Sequence, residues 1–171
     1  MDDQVPIPHD VTLLELLAAG NLPLEEAFLQ AEVEARLGMV LVSATAEAVI
    51  VRMPVGPAAF NSSGNLHGGA VATLVDVSAG TMAALGSGFR PGVETIVTAD
   101  LHVRYLGRAK GDSVTAESRV LRAGRMLVVV ECTVLDSLGN LIAVADFSSM
   151  RVPLRGPLRP GGSPSSTAPD L

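Results

Sequence analysis

Aromatic side chains are nearly missing from this chain of 171 residues, at 3% against 48% for apolar residues as a whole. A core without large rings must be filled by Val, Leu, Ile and Ala, whose small side chains let backbones approach closely, as when a helix lies on a sheet. Cysteine is reduced to Cys132 alone, which excludes an intrachain disulfide and fits a reducing compartment, the thiol being a small core side chain in an apolar run. Basic residues are outnumbered, 12 Lys and Arg against 18 Asp and Glu, for a formal net charge of -6. Nucleic-acid binders display a basic face to phosphates, so that class is excluded, while a local basic cluster for a small anion stays open. The start, Met1-Asp2-Asp3-Gln4, is acidic where a signal peptide is basic, and no uninterrupted apolar run reaches the ~18 residues of a membrane span. The expectation is a cytoplasmic protein without a membrane segment, and the length suits one domain with a core able to fold unaided.

What is present reads as helices first and strands afterwards. Asp10 as an N-cap, Pro23 near a second start and a stripe of Leu13, Leu14, Leu16 and Leu17 predict two short helices, about Val11 to Gly20 and Pro23 to Leu37. Val40 and Val42, then Val49 and Val51, predict a hairpin within residues 38–54, and the Pro57, Asn61, Ser62, Ser63 and Gly64 stretch predicts a loop. A small-residue apolar helix then runs from Leu66 to about Gly86-Ser87-Gly88, where glycine supplies the left-handed geometry of a helix end. Beyond it four consecutive antiparallel strands are expected: Val93 to Tyr105, Ser113 to Leu121, Met126 to Leu135 and Leu141 to Val152. Strict alternation in the first would place Val97, Ala99, Leu101, Val103 and Tyr105 on one face and Thr98, Asp100, His102 and Arg104 on the other. Residues 155–171 hold Pro157, Pro160, Pro164 and Pro169 among Gly and Ser, too little apolar material to offset ordering entropy, and read as a disordered tail. The organisation is a helical extension (1–37), a main α+β domain (38–154) whose antiparallel sheet wraps one central helix, and the tail.

One acid interrupts the central helix. Asp76 stands among Ala, Val, Leu and Gly, where a charge costs several kcal/mol unless paired or neutralised. It either attacks an electrophilic carbon or deprotonates water, with burial lifting its pKa, or it is a structural acid capping a loop of another subunit. Upstream stands Asn61-x-x-Gly64-x-x-His67-Gly68-Gly69. Gly68 and Gly69 fall in the first helical turn, where free N–H groups and the helix dipole suit a carbonyl or oxyanion; equally, paired glycines permit close packing on the sheet. Asn61 can position a carbonyl or water, or simply organise its own turn. His67 has no metal partner at i+4 and no Ser or Cys nucleophile motif beside it, so helix-entry hydrogen bonding is its role. The eight steps from Gly68 to Asp76 span roughly 12 Å along a helix, too far for one substrate carbon to meet both from one chain. If both act together, two chains share the site, and a twofold homodimer is required.

Together with Tyr105-Leu106-Gly107-Arg108-Ala109-Lys110-Gly111-Asp112 and the strand Leu141-Ile142-Ala143-Val144-Ala145, the Asn61 to Asp76 motif resembles the hotdog-fold acyl-CoA thioesterases of the PaaI-like type, over roughly Leu37 to Val152. The resemblance implies a curved sheet around a long helix, dimers that commonly form tetramers, an acyl-CoA substrate and no metal or separate cofactor. It implies Asp76 as nucleophile or general base, Gly68 as the backbone donor polarising the thioester carbonyl, Asn61 as the loop residue placing carbonyl or water, and Thr98 as the residue orienting water near the acid, if strand register puts it there. His67 matches the motif histidine, Gly69 its neighbouring donor. Arg104, Arg108, Lys110, Arg122 and Arg125 fall where relatives contact the nucleotide, although Arg108 replaces a proline common among them. An enoyl-CoA hydratase-type enzyme and a non-catalytic acyl-CoA-binding module are the alternatives; no His-Glu pair of the hydratase kind is found. Candidates for the acyl pocket are Met53, Phe60, Met82, Leu85 and Phe89.

Overall fold

The computed structural model describes residues 32–88, 90 and 93–153. The first expected helix, most of the second, Phe89 and the proline-rich tail lie outside the described residues. A short helix α1 (Glu32–Arg36) leads into the hairpin β1 (Val40–Ala44) and β2 (Val49–Pro54). The loop after it contains one 3-10 turn, Pro57–Ala59, with proline at its start, where a missing N–H costs nothing. Then come helix α2 (Gly68–Gly86) and strands β3 (Glu94–Tyr105), β4 (Ser113–Ala123), β5 (Leu127–Asp136) and β6 (Leu141–Pro153).

All six strands form one antiparallel sheet in the order β1-β2-β4-β5-β6-β3. The four later strands are therefore not a simple meander: β3 pairs with β6 at the far edge, not with β4. Inward residues recur with the two-residue period of a sheet covered on one face, Val128, Val130, Cys132 and Val134 on β5 and Val49, Val51 and Met53 on β2. Against them lies α2, which buries Val71, Leu74, Val75, Ala79, Met82 and Ala83. Close approach is visible at Gly86, where a Cβ would come within 2.6 Å of Val120 Cγ2. Inside this core Ser78 and Ser118 share a hydrogen bond of 2.8 Å, which satisfies two hydroxyls that burial would otherwise penalise. Cys132 is buried beside them, and burial pushes its thiol up to about 11.

By length and composition α2 could cross a membrane, although no uninterrupted apolar run was expected to do so; here the sheet, not lipid, covers its apolar side. The cover is incomplete. Thr73, Asp76, Val77, Gly80 and Ala84 are only half-buried, and their spacing of three and four residues traces one stripe down the helix. Asp76 is thus at the margin of the core rather than inside it.

Strand β3 departs from strict alternation. Its register against β6 shifts between Thr98, opposite Ser149, and Asp100, opposite Ser148, leaving Ala99 as the extra residue of a β-bulge. Paired residues share a face, and Ser149 and Phe147 are buried. Thr98 therefore faces the helix together with Leu101 and Val103, the opposite of the alternation expected, while Val97 and Asp100 face outward.

Candidate active site

His67 caps α2. Its Nδ1 accepts the Gly69 N–H at 2.8 Å, its own N–H donates to Ala59 O at 2.7 Å, and a Cβ on Gly69 would sit 2.8 Å from that same Nδ1. Helix entry is its observed work. No acceptor among the described residues meets the Gly68 N–H, one of the orphan donors of a helix start. Gly68 O accepts from Tyr105 Oη at 3.0 Å.

Asn61 organises the loop in front. Its Oδ1 accepts the N–H groups of Ser63 at 2.9 Å and Asn65 at 3.1 Å, an Asx-type turn that fixes the amide and leaves Nδ2 without a partner among the described residues. Between this loop, the helix start and the segment after β3 is a small cleft of about 70 Å³, lined by Leu66, Gly68, Val71, Tyr105, Arg108 and Ile142 among others. Met53 and Met82, expected as pocket walls, are wholly buried in the core; Phe60 and Leu85 are each 38% exposed and do not line the cleft.

The segment carrying Arg108 is tied down on both sides. Leu106 and Gly107 N–H donate to Ile142 O, at 2.8 and 3.2 Å, and Lys110 N–H donates to Asp136 Oδ2 at 3.0 Å. Gly107 has no room for a side chain, since a Cβ would approach Leu141 O to 2.9 Å, and at Gly111 it would collide with Ser137 Oγ. Asp136 also accepts from Leu138 N–H, Asn140 N–H and the Asn140 amide. The Asn140 side chain first, with the backbone donors adding, holds its carboxyl down to about 2.

Midway along α2, Asp76 Oδ1 accepts a hydrogen bond from Thr98 Oγ1 at 3.1 Å. The bulge at Ala99 makes this contact available, since without it Thr98 would point away. A second carboxyl was missed in the sequence. Glu34 of α1 is half-buried, its carboxyl pushed above the usual range first by burial and also by the negative field of Asp76; one of two Glu in a short polar helix, it carries no motif that could have flagged it. Tyr105 opens the Tyr105–Asp112 stretch, where the sequence alone assigns its hydroxyl no partner.

The structure brings Gly68, Gly69, His67, Asn61 and Arg108 to one end of α2 and the Asp76–Thr98 pair to its middle. Other expected cations are elsewhere within the chain. Arg104 is on the outer face of β3, 3.6 Å from Asp146. Arg122 and Arg125 lie by the β4–β5 turn, where Arg151 donates to Ser87 O at 2.7 Å, Gly124 O at 2.9 Å and Arg125 O at 2.7 Å. That is the C-terminal end of α2, roughly 27 Å along the helix from Gly68. Lys110 is exposed and does not line the cleft; its backbone N–H donates to Asp136.

One long helix cradled in an antiparallel sheet, with glycine at its first two positions, is the hotdog fold of thioester-cleaving enzymes. The family model described as "Thioesterase superfamily" matches residues 63–143. Mouse acyl-coenzyme A thioesterase 13 is 36% identical over 106 residues, 60% of this chain and 72% of that protein. Among solved structures, a thioesterase family protein of Silicibacter pomeroyi superposes with a TM-score of 0.67 at 25% identity, over 75% of this chain and 94% of the other. The E. coli PaaI protein, from the phenylacetic acid degradation operon, shares the fold with a TM-score of 0.65 at 18% identity, over 74% of this chain and 89% of the other. The chain belongs to the thioesterase superfamily and is a thioester hydrolase.

Proposed function

We propose that this protein is a homodimeric acyl-CoA thioesterase whose site is completed across the subunit interface. The observation that carries the reading is the Asp76–Thr98 contact of 3.1 Å, made between the half-open stripe of α2 and the free edge strand of the sheet. An edge strand as long as Glu94–Tyr105, exposed at Val97 and Tyr105, is a ready template for pairing with a second copy. Antiparallel pairing there would lay the uncovered stripes of two helices side by side, and Gly68 of one chain would meet Asp76 of the partner subunit.

In this arrangement the Gly68 N–H, assisted by the Asn61 amide, polarises the thioester carbonyl and stabilises the charge that develops on its oxygen. Asp76 either attacks the carbonyl carbon itself or takes a proton from a water held by Thr98. The carbon–sulfur bond breaks, the sulfur leaves as coenzyme A thiol after gaining a proton, and one water is consumed in releasing the free acid. Arg108, at the cleft, is the cation best placed for a phosphate of the coenzyme. Mouse acyl-coenzyme A thioesterase 13 supports acyl-CoA as the substrate class.

Asp76→Asn keeps shape and removes the base. Thiol release from a panel of short, medium, long and aryl acyl-CoAs should lose at least ~10² in kcat, the scale of a general base. Near-full activity in that variant rejects the mechanism. Acyl-CoA bound without thiol release would make the protein a binding module instead, and loss of enoyl absorbance without thiol release would make it a hydratase.

A further inference from the structure

The proposed reaction relies on a backbone donor in a turn built from two glycines, the residue type with the greatest backbone freedom. Oxyanion donors act by being aimed before charge develops, so a wandering peptide would forfeit most of the effect. In this structure the peptide unit between Gly68 and Gly69 is held at both ends. Its N–H, which belongs to Gly69, donates to His67 Nδ1 at 2.8 Å. Its carbonyl, which belongs to Gly68, accepts from Tyr105 Oη at 3.0 Å. The tyrosine ring also lies over the same glycine, since a Cβ on Gly68 would stand 3.5 Å from two of its ring carbons.

We infer that Tyr105 is a positioning residue: its hydroxyl, opposed by the His67 imidazole, fixes the Gly68–Gly69 peptide and thereby the direction of the Gly68 N–H. The inference deepens the thioesterase reading and rests on it. Tyrosine suits the task because a rigid ring with two side-chain torsions carries a donor across the cleft at little entropic cost. One strand then serves both halves of the chemistry, Tyr105 at its end steadying the donor and Thr98 near its middle holding the acid.

Tyr105→Phe keeps the ring and deletes only the donor. We expect kcat to fall ~10-fold with KM unchanged, a fraction of the ~10²–10³ that removal of an oxyanion donor costs. The melting temperature should move by no more than about 2 °C, since an exposed hydrogen bond contributes little. Amide NMR on the same variant should show shifted, faster-exchanging Gly68 and Gly69 with Val75 and Ala79 unchanged. An unchanged kcat, or a loss of kcat matched by exchange along the whole helix, overturns the inference. If the wild type releases thiol from no acyl-CoA, the thioesterase reading fails separately, and the Gly69 amide then decides the clamp by itself: moved in Tyr105→Phe it stands, unmoved it falls.

Discussion

A single hydroxyl distinguishes Thr98 from an isosteric valine, and that hydroxyl is what meets Asp76. Thr98→Val should lower kcat about 10-fold while Thr98→Ser retains most of it, read by steady-state thiol release; equal rates would reduce Thr98 to a packing residue. Asp136 offers a test away from the chemistry. Its folded pKa of about 2 lies below the ordinary 3.8, so the carboxylate's contribution to stability is present above roughly pH 4 and is lost as pH falls through about 2. Asp136→Asn should therefore melt lower than wild type at pH 7, by on the order of 5 °C, with the gap closing near pH 2. A gap independent of pH would assign the cost to geometry alone. At this scale His67 was legible because a histidine ahead of a Gly-Gly turn without metal or nucleophile company has little else to do than cap. Asn61 was legible in its turn-making role. Glu34 and Tyr105 were not, since each acquires meaning only from a partner that the fold supplies, Asp76 and Gly68 O respectively.

The elements themselves were largely legible, because β-branched alternation and a small-residue helix bounded by glycines leave few other readings. Their order in the sheet was not. β3 could have paired with β4, its neighbour in sequence, but pairs with β6, and this decides which loops surround the helix start. Hence Arg108 reaches the cleft while Arg122 and Arg125 fall at the other end of α2. The bulge at Ala99 was equally hidden, for an alanine in a strand gives no sign that it is unpaired. Packing of helix on sheet predicts a further sensitivity. At Gly86 a methyl would meet Val120 at 2.6 Å and Met82 Cε at 3.0 Å, and a β-branched neighbour cannot rotate away. Gly86→Ala should destabilise by about 1–3 kcal/mol in chemical denaturation despite alanine's better helix propensity. A stabilised variant would mean that helix and sheet separate more easily than the close contact implies.

For the molecule as a whole, the proposed function requires two chains to complete a site. Gly68 is the first residue of α2 and follows His67 in extended geometry (φ −71, ψ 131), the setting in which proline is tolerated. Gly68→Pro should thus remove the N–H with the helix kept, abolishing activity as Asp76→Asn does. Co-refolded in equal amounts, the two inactive variants should regain about one quarter of wild-type activity, because half the dimers are mixed and each has one intact site. No recovery would place both groups in one subunit's site or none. The bulge carries a last consequence, in the currency of chain length. With Ala99 unpaired, β3 holds two phases of alternation, Ile96 and Thr98 in one and Leu101 and Val103 in the other, joined so that all four face the helix. Excising Ala99 would merge the phases and leave each of those four residues facing the helix. Ala99 has no partner on β6, and its chief contribution is to be counted.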